Sequence, residues 1–130
     1  MINISIQSIP EEQHRYPTTG DWWFEPDGRL RIAVTEWGNP DHEFLIAFHE
    51  LVEVWLCRRR GITTEAVDAF DMAYERDRRE GDTSEPGDDP RAPYYREHQF
   101  ASGMERLMAA ELGVNWQEYG GFVEEPPVAP

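Results

Sequence analysis

Residues 39–61 read NPDHEFLIAFHELVEVWLCRRRG, and this stretch decides the architecture. Asn39 offers a side-chain oxygen as a helix N-cap, Pro40 suits the first helical position, and Gly61 marks the stop. A helix is expected from about Asp41 to Arg60. Between Phe44 and Cys57 its only polar side chains are His49, Glu50 and Glu53. A helix that is apolar nearly all round is a buried, central one. At 100° per residue the three polar groups fall within one arc of about 100°. Two carboxylates on a buried stripe need partners or a metal to offset their desolvation.

Working outward, Ile2, Ile4 and Ile6 alternate with Asn3, Ser5 and Gln7, the period of a half-buried strand. A second strand is expected at Trp22, Trp23 and Phe24. Glu25-Pro26-Asp27-Gly28 supplies turn chemistry, and Leu30, Ile32 and Val34 then alternate against Arg29, Arg31 and Thr35. The expectation is an N-terminal strand plus a hairpin, a small antiparallel sheet with one wet face. On the C-terminal side, Thr63 or Thr64 caps a second helix to about Arg79, with Glu65 in its first turn and arginines in its last. An acidic loop follows from Glu80 to Arg91. A third helix is expected from about Pro93 to Leu112, stopping at Gly113, and Asn115 caps a short turn holding Trp116 and Tyr119. The fold class is therefore α+β, a small sheet on about three helices, as a single domain over residues 1–122. Residues 123–130 read as a flexible acidic, proline-rich tail.

Composition narrows the chemistry. The 130 residues carry 26 acidic side chains against 12 basic ones, a formal charge of −14, which opposes direct contact with a nucleic-acid backbone or an anionic membrane. All the basic residues are arginine. Without lysine there is no Schiff base, no lysine general base and no phosphate-binding loop of the G-x-x-x-x-G-K type. Cys57, the one cysteine, removes disulfides and cysteine-rich zinc sites. The opening residues MINISIQSIPEEQ lack a basic n-region and a long apolar run, so a soluble protein of a reducing cytoplasm is expected.

His49-Glu50-x-x-Glu53 resembles the H-E-x-x-H motif of zinc hydrolases, in which ligands at i and i+4 share a helix face and the intervening Glu activates water. A carboxylate stands here in the second ligand position. The motif's helix follows a small antiparallel sheet, which is similar to the minimal zinc-peptidase arrangement. The resemblance implies His49 and Glu53 as metal ligands, Glu50 as the catalytic base, and zinc as the preferred divalent ion, with magnesium or manganese as alternatives. A third ligand must come from elsewhere. Asp71, eighteen residues beyond Glu53, is the preferred candidate on the zinc-peptidase spacing, followed by Asp68 on the same stripe. His98, which shares a face with Ala101, Ser102 and Glu105, is the other.

Each of these residues has a plainer reading. The stripe on the second helix is also what a solvated face looks like, with Glu75 paired to Arg78 or Arg79. His49, Glu50 and Glu53 would also suit a buried network with Arg29 or Arg31 from the sheet. Arg58, Arg59 and Arg60 make a dipole-favoured helix end, and Trp22, Trp23 and Trp55 are core candidates.

Two other functional readings stand beside the hydrolase. Glu50-x-x-Glu53 followed by Asp68-x-x-Asp71 resembles the E-x-x-E…E-x-x-D signature of the all-α nucleoside triphosphate pyrophosphohydrolases, which implies four acids holding magnesium. Alternatively, the acidic loop from Asp82 to Asp89 serves a non-enzymatic inhibitor that presents carboxylates to a host protein. A small-molecule or peptide substrate and a host protein are thus the partner classes expected. Over a wider span, FHELVEVWLCRRRGIT, VDAFD and EPGDDPRAPYYREHQFASGMERL resemble a group of small tailed-phage and prophage proteins. That resemblance implies a phage protein in a bacterial cytoplasm and is silent on the reaction. Because the Pro86–Pro93 loop belongs to the shared string, it is expected to fold over the His49/Glu53 site, with Arg91, Tyr94 and Tyr95 contacting substrate at its rim.

Overall fold

The computed structural model describes residues 1–124, with side chains as far as Gly120. It is an α+β fold in which a three-stranded sheet packs on helices. In chain order the elements are β1 (Ile4–Ile9), a 3-10 turn at Glu11–Gln13, β2 (Gly20–Phe24), β3 (Leu30–Thr35), α1 (Pro40–Arg59), α2 (Thr64–Arg76), a 3-10 turn at Pro86–Asp88, α3 (Tyr95–Leu112) and α4 (Trp116–Glu124). α4 extends over residues 123 and 124, and the rest of the expected tail lies outside the described residues. No helix among the described residues is long and apolar enough to cross a membrane.

The sheet order is β1-β3-β2, and here the expectation needs a correction. β2 and β3 form the expected antiparallel hairpin, with Trp22 opposite Ile32, but β1 runs parallel to β3, with Ile6 opposite Ile32. The sheet is mixed. Alternation fixes which face a side chain takes, not which way the strand runs, and parallel pairing needs a crossover. The 3-10 turn and β2 together supply it.

Central placement also changes the wet face of β3. Ala33 and Thr35 are buried as well as Leu30, Ile32 and Val34, because residues 14–19 cross that side and His14 Nε2 meets Thr35 Oγ1 at 2.8 Å. β1, at an edge, keeps Ile6 47% exposed.

α1 is the central helix, capped as read: Asn39 Oδ1 accepts from Asp41 N at 3.1 Å and His42 N at 3.2 Å. Leu45, Ile46 and Val54 join Trp22, Leu30, Ile32 and Val34 in one core. α1 packs chiefly on α3, where the fully buried Ala101 lets the two backbones approach. The outer side of α1 is less covered than its composition suggests. Trp55, expected in the core, is 45% exposed, and Phe44 stacks on Phe48 near the surface. Arg60 at the helix end reaches Glu97 at 2.7 Å, and Arg58 lies over Phe24.

Candidate metal centre

On α1, His49 and Glu53 stand one helical turn apart, and α3 brings His98 against them. His49 Nε2 lies 2.9 Å from Glu53 Oε2, His98 Nδ1 lies 2.9 Å from the same oxygen, and the two nitrogens are 3.2 Å apart. All three residues are buried. Ligand atoms around a tetrahedral zinc, each ~2.0–2.1 Å from the ion, sit about 3.3 Å from one another. The triangle has nearly that size, and these residues form a group able to hold a metal ion.

What the outer ring nitrogens do is equally informative. His49 Nδ1 meets Glu105 Oε1 at 2.7 Å, and Glu105 in turn accepts from the Tyr119 hydroxyl on α4. His98 Nε2 lies 3.1 Å from Glu85 Oε2 and 3.2 Å from Asp88 Oδ1. A proton on each outer nitrogen satisfies these carboxylates and leaves a lone pair on each inner one. Two lone pairs and an anionic oxygen then face a single point, and only added positive charge relieves their repulsion. Carboxylate partners behind metal-binding imidazoles fix the tautomer in this same way.

The pKa shifts express the demand for charge. Burial alone would lower the His49 pKa, but hydrogen bonds to Glu105 and Glu53 outweigh it and push it up to about 10. For His98, Asp88, Glu53 and Glu85 outweigh burial and push it up to about 12. Burial would raise Glu53, and the two histidines instead hold it down at about 2. Two protons, or the equal charge of one divalent cation, would satisfy this demand.

Glu50 is different. It is only partly covered, faces the cavity beside the centre, and makes no hydrogen bond or ion pair among the described residues. Burial, then the charge of Glu53, raises its pKa well above the ordinary carboxylate value. β2 comes close here at Gly20, where a Cβ would lie 2.7 Å from Ile46 Cγ2 and 2.9 Å from Glu50 Oε1.

The other residues named from sequence sort clearly. Asp71, preferred as third ligand, is buried but is held by the hydroxyls of Tyr94 and Tyr16, the latter at 3.2 Å. Burial raises its pKa to about 7. Asp68 binds the Arg15 guanidinium at 3.0 and 3.2 Å. His98, not either aspartate, completes the triangle. The sequence spacing misled because α1 packs on α3, and the α2 acids face the far wall of the same cavity. The four-acid magnesium arrangement is not assembled among the described residues, since Glu53 is bound to histidines. Arg29 and Arg31, offered as buried counter-charges, pair instead with Asp27 and with Gln7 and Glu25.

The Pro86–Pro93 loop does lie over the site, through Gly87 and Asp88 with Glu85 beside them rather than through Arg91 or Tyr95. Glu85 and Asp88 reach His98, while Arg91 is an exposed partner of Asp89, its side chain 82% accessible. Tyr95 is exposed and does not line the cavity, whereas Tyr94 is buried and does. The loop acids of the inhibitor reading are engaged within the chain, Asp82 with Ser84 and Asp89 with Arg91. Glu105, Glu85, Asp88 and Tyr119 join the site only through the fold. For Glu105 a signal existed, its i+7 relation to His98.

Gly87 explains how the loop fits. A Cβ there would lie 2.4 Å from the His98 ring, so loop backbone rests directly on the imidazole. Gly87→Ala must displace either the ring or the loop, at a cost of about 1–3 kcal/mol. The expected result is at least about tenfold weaker metal binding and a lowered melting temperature. Calorimetric titration and thermal melts with and without zinc would check both, and unchanged affinity would contradict the contact.

Comparison with protein-family models, curated proteins and solved structures returned no match.

Proposed function

We propose that the chain is a metal-dependent hydrolase in which His49, Glu53 and His98 hold one divalent ion, zinc by preference. The observation that carries this reading is the convergence of two imidazole nitrogens and one carboxylate oxygen, with both outer ring nitrogens tied to carboxylates. Two nitrogens and one oxygen suit zinc better than magnesium, which prefers an all-oxygen shell. Three protein ligands leave a fourth position, the arrangement of catalytic rather than structural zinc. The ion would supply Lewis acidity and lower the pKa of a bound water.

Glu50 follows His49 in sequence and faces the same cavity without a partner. It would take the proton of the attacking water and pass it to the leaving group. The resemblance of the HELVE and EPGDDPRAPYYREHQF strings to tailed-phage proteins supports a phage-encoded protein working in a host cytoplasm and does not bear on the reaction.

The test is elemental analysis of protein purified without added metal, with Glu50→Gln and His49→Ala beside it. About one zinc per chain is expected in the parent and in Glu50→Gln, and none in His49→Ala. On a panel of peptide and ester substrates, Glu50→Gln should lose about 10²–10⁴-fold in turnover while keeping its metal. Stoichiometric metal in His49→Ala would refute the assignment of the centre.

A further inference from the structure

We infer that the cavity in front of the centre takes a substrate bearing a positive charge, a guanidinium or ammonium group, read by the α2 wall at Asp68 and Asp71. This deepens the hydrolase reading and rests on it. The cavity has a volume of about 320 Å³, room for a side chain and the bond beside it. Ten carboxylates and one guanidinium, Arg78, are the acidic and arginine side chains lining it. Arg78 is already committed to Glu75 at 2.7 and 2.9 Å. Arg15, behind the wall, pairs with two of the ten, Asp21 and Asp68, and with that charge, a divalent ion at the centre and protonated Glu50 and Asp71 all counted, the lining still stays negative. A concave, low-dielectric site lined by one sign of charge focuses that field on what enters it. Phosphate and carboxylate groups are disfavoured there.

A second observation shows which cation the wall accepts. The guanidinium of Arg15 ties this wall to β2 from behind, forked onto Asp21 of β2 at 2.7 and 2.9 Å, bonded to Asp68 at 3.0 and 3.2 Å, and to the Trp22 carbonyl at 3.3 Å. Its Cζ lies 5.1 Å from the Trp23 ring centre and 5.8 Å from that of Tyr16. Paired carboxylates flanked by aromatic rings are the general chemistry of guanidinium recognition. Tyr16, Trp22 and Tyr94 continue this aromatic lining into the cavity beside Asp71. A substrate cation would meet there the same environment that Arg15 occupies behind the wall.

The probes are N-acetyl hydroxamates of arginine, leucine and glutamate, titrated calorimetrically into zinc-loaded protein. All three can chelate the ion through the hydroxamate and differ only in side-chain charge. The arginine compound is expected to bind at least about tenfold tighter than the leucine compound, and the glutamate compound more weakly still. The preference should shrink between low and high salt, because the attraction is screened. Asp68→Asn should cut the arginine preference severalfold and leave leucine binding unchanged, which also reports an intact centre. Equal zinc-dependent affinities for arginine and leucine would overturn the charge inference and leave the metal centre standing. Failure of all three to bind zinc-loaded protein would overturn the open coordination position, and the inference with it.

Discussion

Glu53→Ala is expected to abolish stoichiometric metal and to lower the melting temperature of the metal-free protein by about 10 °C or more. The reason lies in how many groups depend on one oxygen pair. Glu53 Oε2 meets both imidazoles at 2.9 Å, and Trp22 Nε1 donates to Oε1 at 3.4 Å. Removing the carboxylate leaves two buried histidines facing each other at 3.2 Å with no shared acceptor. Truncating one partner of a buried charged network typically costs about 3–5 kcal/mol, and each kilocalorie moves the melting point of a domain this size by roughly 3–5 °C. The cavity left by the side chain adds to the loss.

Companion variants separate ligand from support. Glu105→Gln removes only the charge behind His49 and should weaken zinc about 10–100-fold, the range for outer-shell partners. Asp68→Asn, on the far wall with Arg15, should leave zinc affinity unchanged. Chelator-competition titrations order the three directly. If Asp68→Asn weakened zinc as much as Glu53→Ala, the ion would lie on the α2 side and the triangle would be a hydrogen-bond cluster.

The ordering also shows what could be read before folding. α1 is legible nearly to its ends because Asn39, Pro40 and Gly61 punctuate it, and its apolar surround marks it as central even though Phe44 and Trp55 stay exposed. His49, Glu50 and Glu53 followed as the buried polar exceptions on that helix. Their partners were harder. Local periodicity places residues on a face of their own element, whereas the choice between Asp71 and His98 depends on which helix packs against α1. The one mark of that face in the sequence is small and silent: Ala101, fully buried between His98 and Glu105. The sheet shows the same division. Faces follow from alternation, but the parallel direction of β1 follows only from the crossover. Gly87 was read as loop composition, and its contact with an imidazole has no one-dimensional signature.

The metal-free fold should weaken as pH rises above about 6, and zinc should reverse that trend. His49 and His98 are held above their ordinary 6.5, at about 10 and about 12, so their contribution is full below pH 6.5 and is lost as pH climbs through those values. Glu53 is held below its ordinary 4.5, at about 2, so its contribution is present above pH 4.5 and is lost as pH falls towards 2. Burial raises Asp71 to about 7, so it favours the fold most at low pH and loses that advantage between 3.8 and 7. Glu50 acts in the same sense. The metal-free optimum therefore falls at roughly pH 4–5, where Glu53 is already ionised and Asp71 and Glu50 have only begun to lose their advantage, and the histidines steepen the decline above 6.5. Zinc needs both inner ring nitrogens bare, so its binding expels protons and tightens with pH. Melts in chelator should lose several degrees from pH 6 to 9, whereas zinc-saturated protein should hold level, widening the gap between the curves. Zinc titrations in two buffers of different ionisation enthalpy should show release approaching two protons per ion at pH 7. A gap constant with pH, together with no proton release, would mean that these histidines are not the ligands.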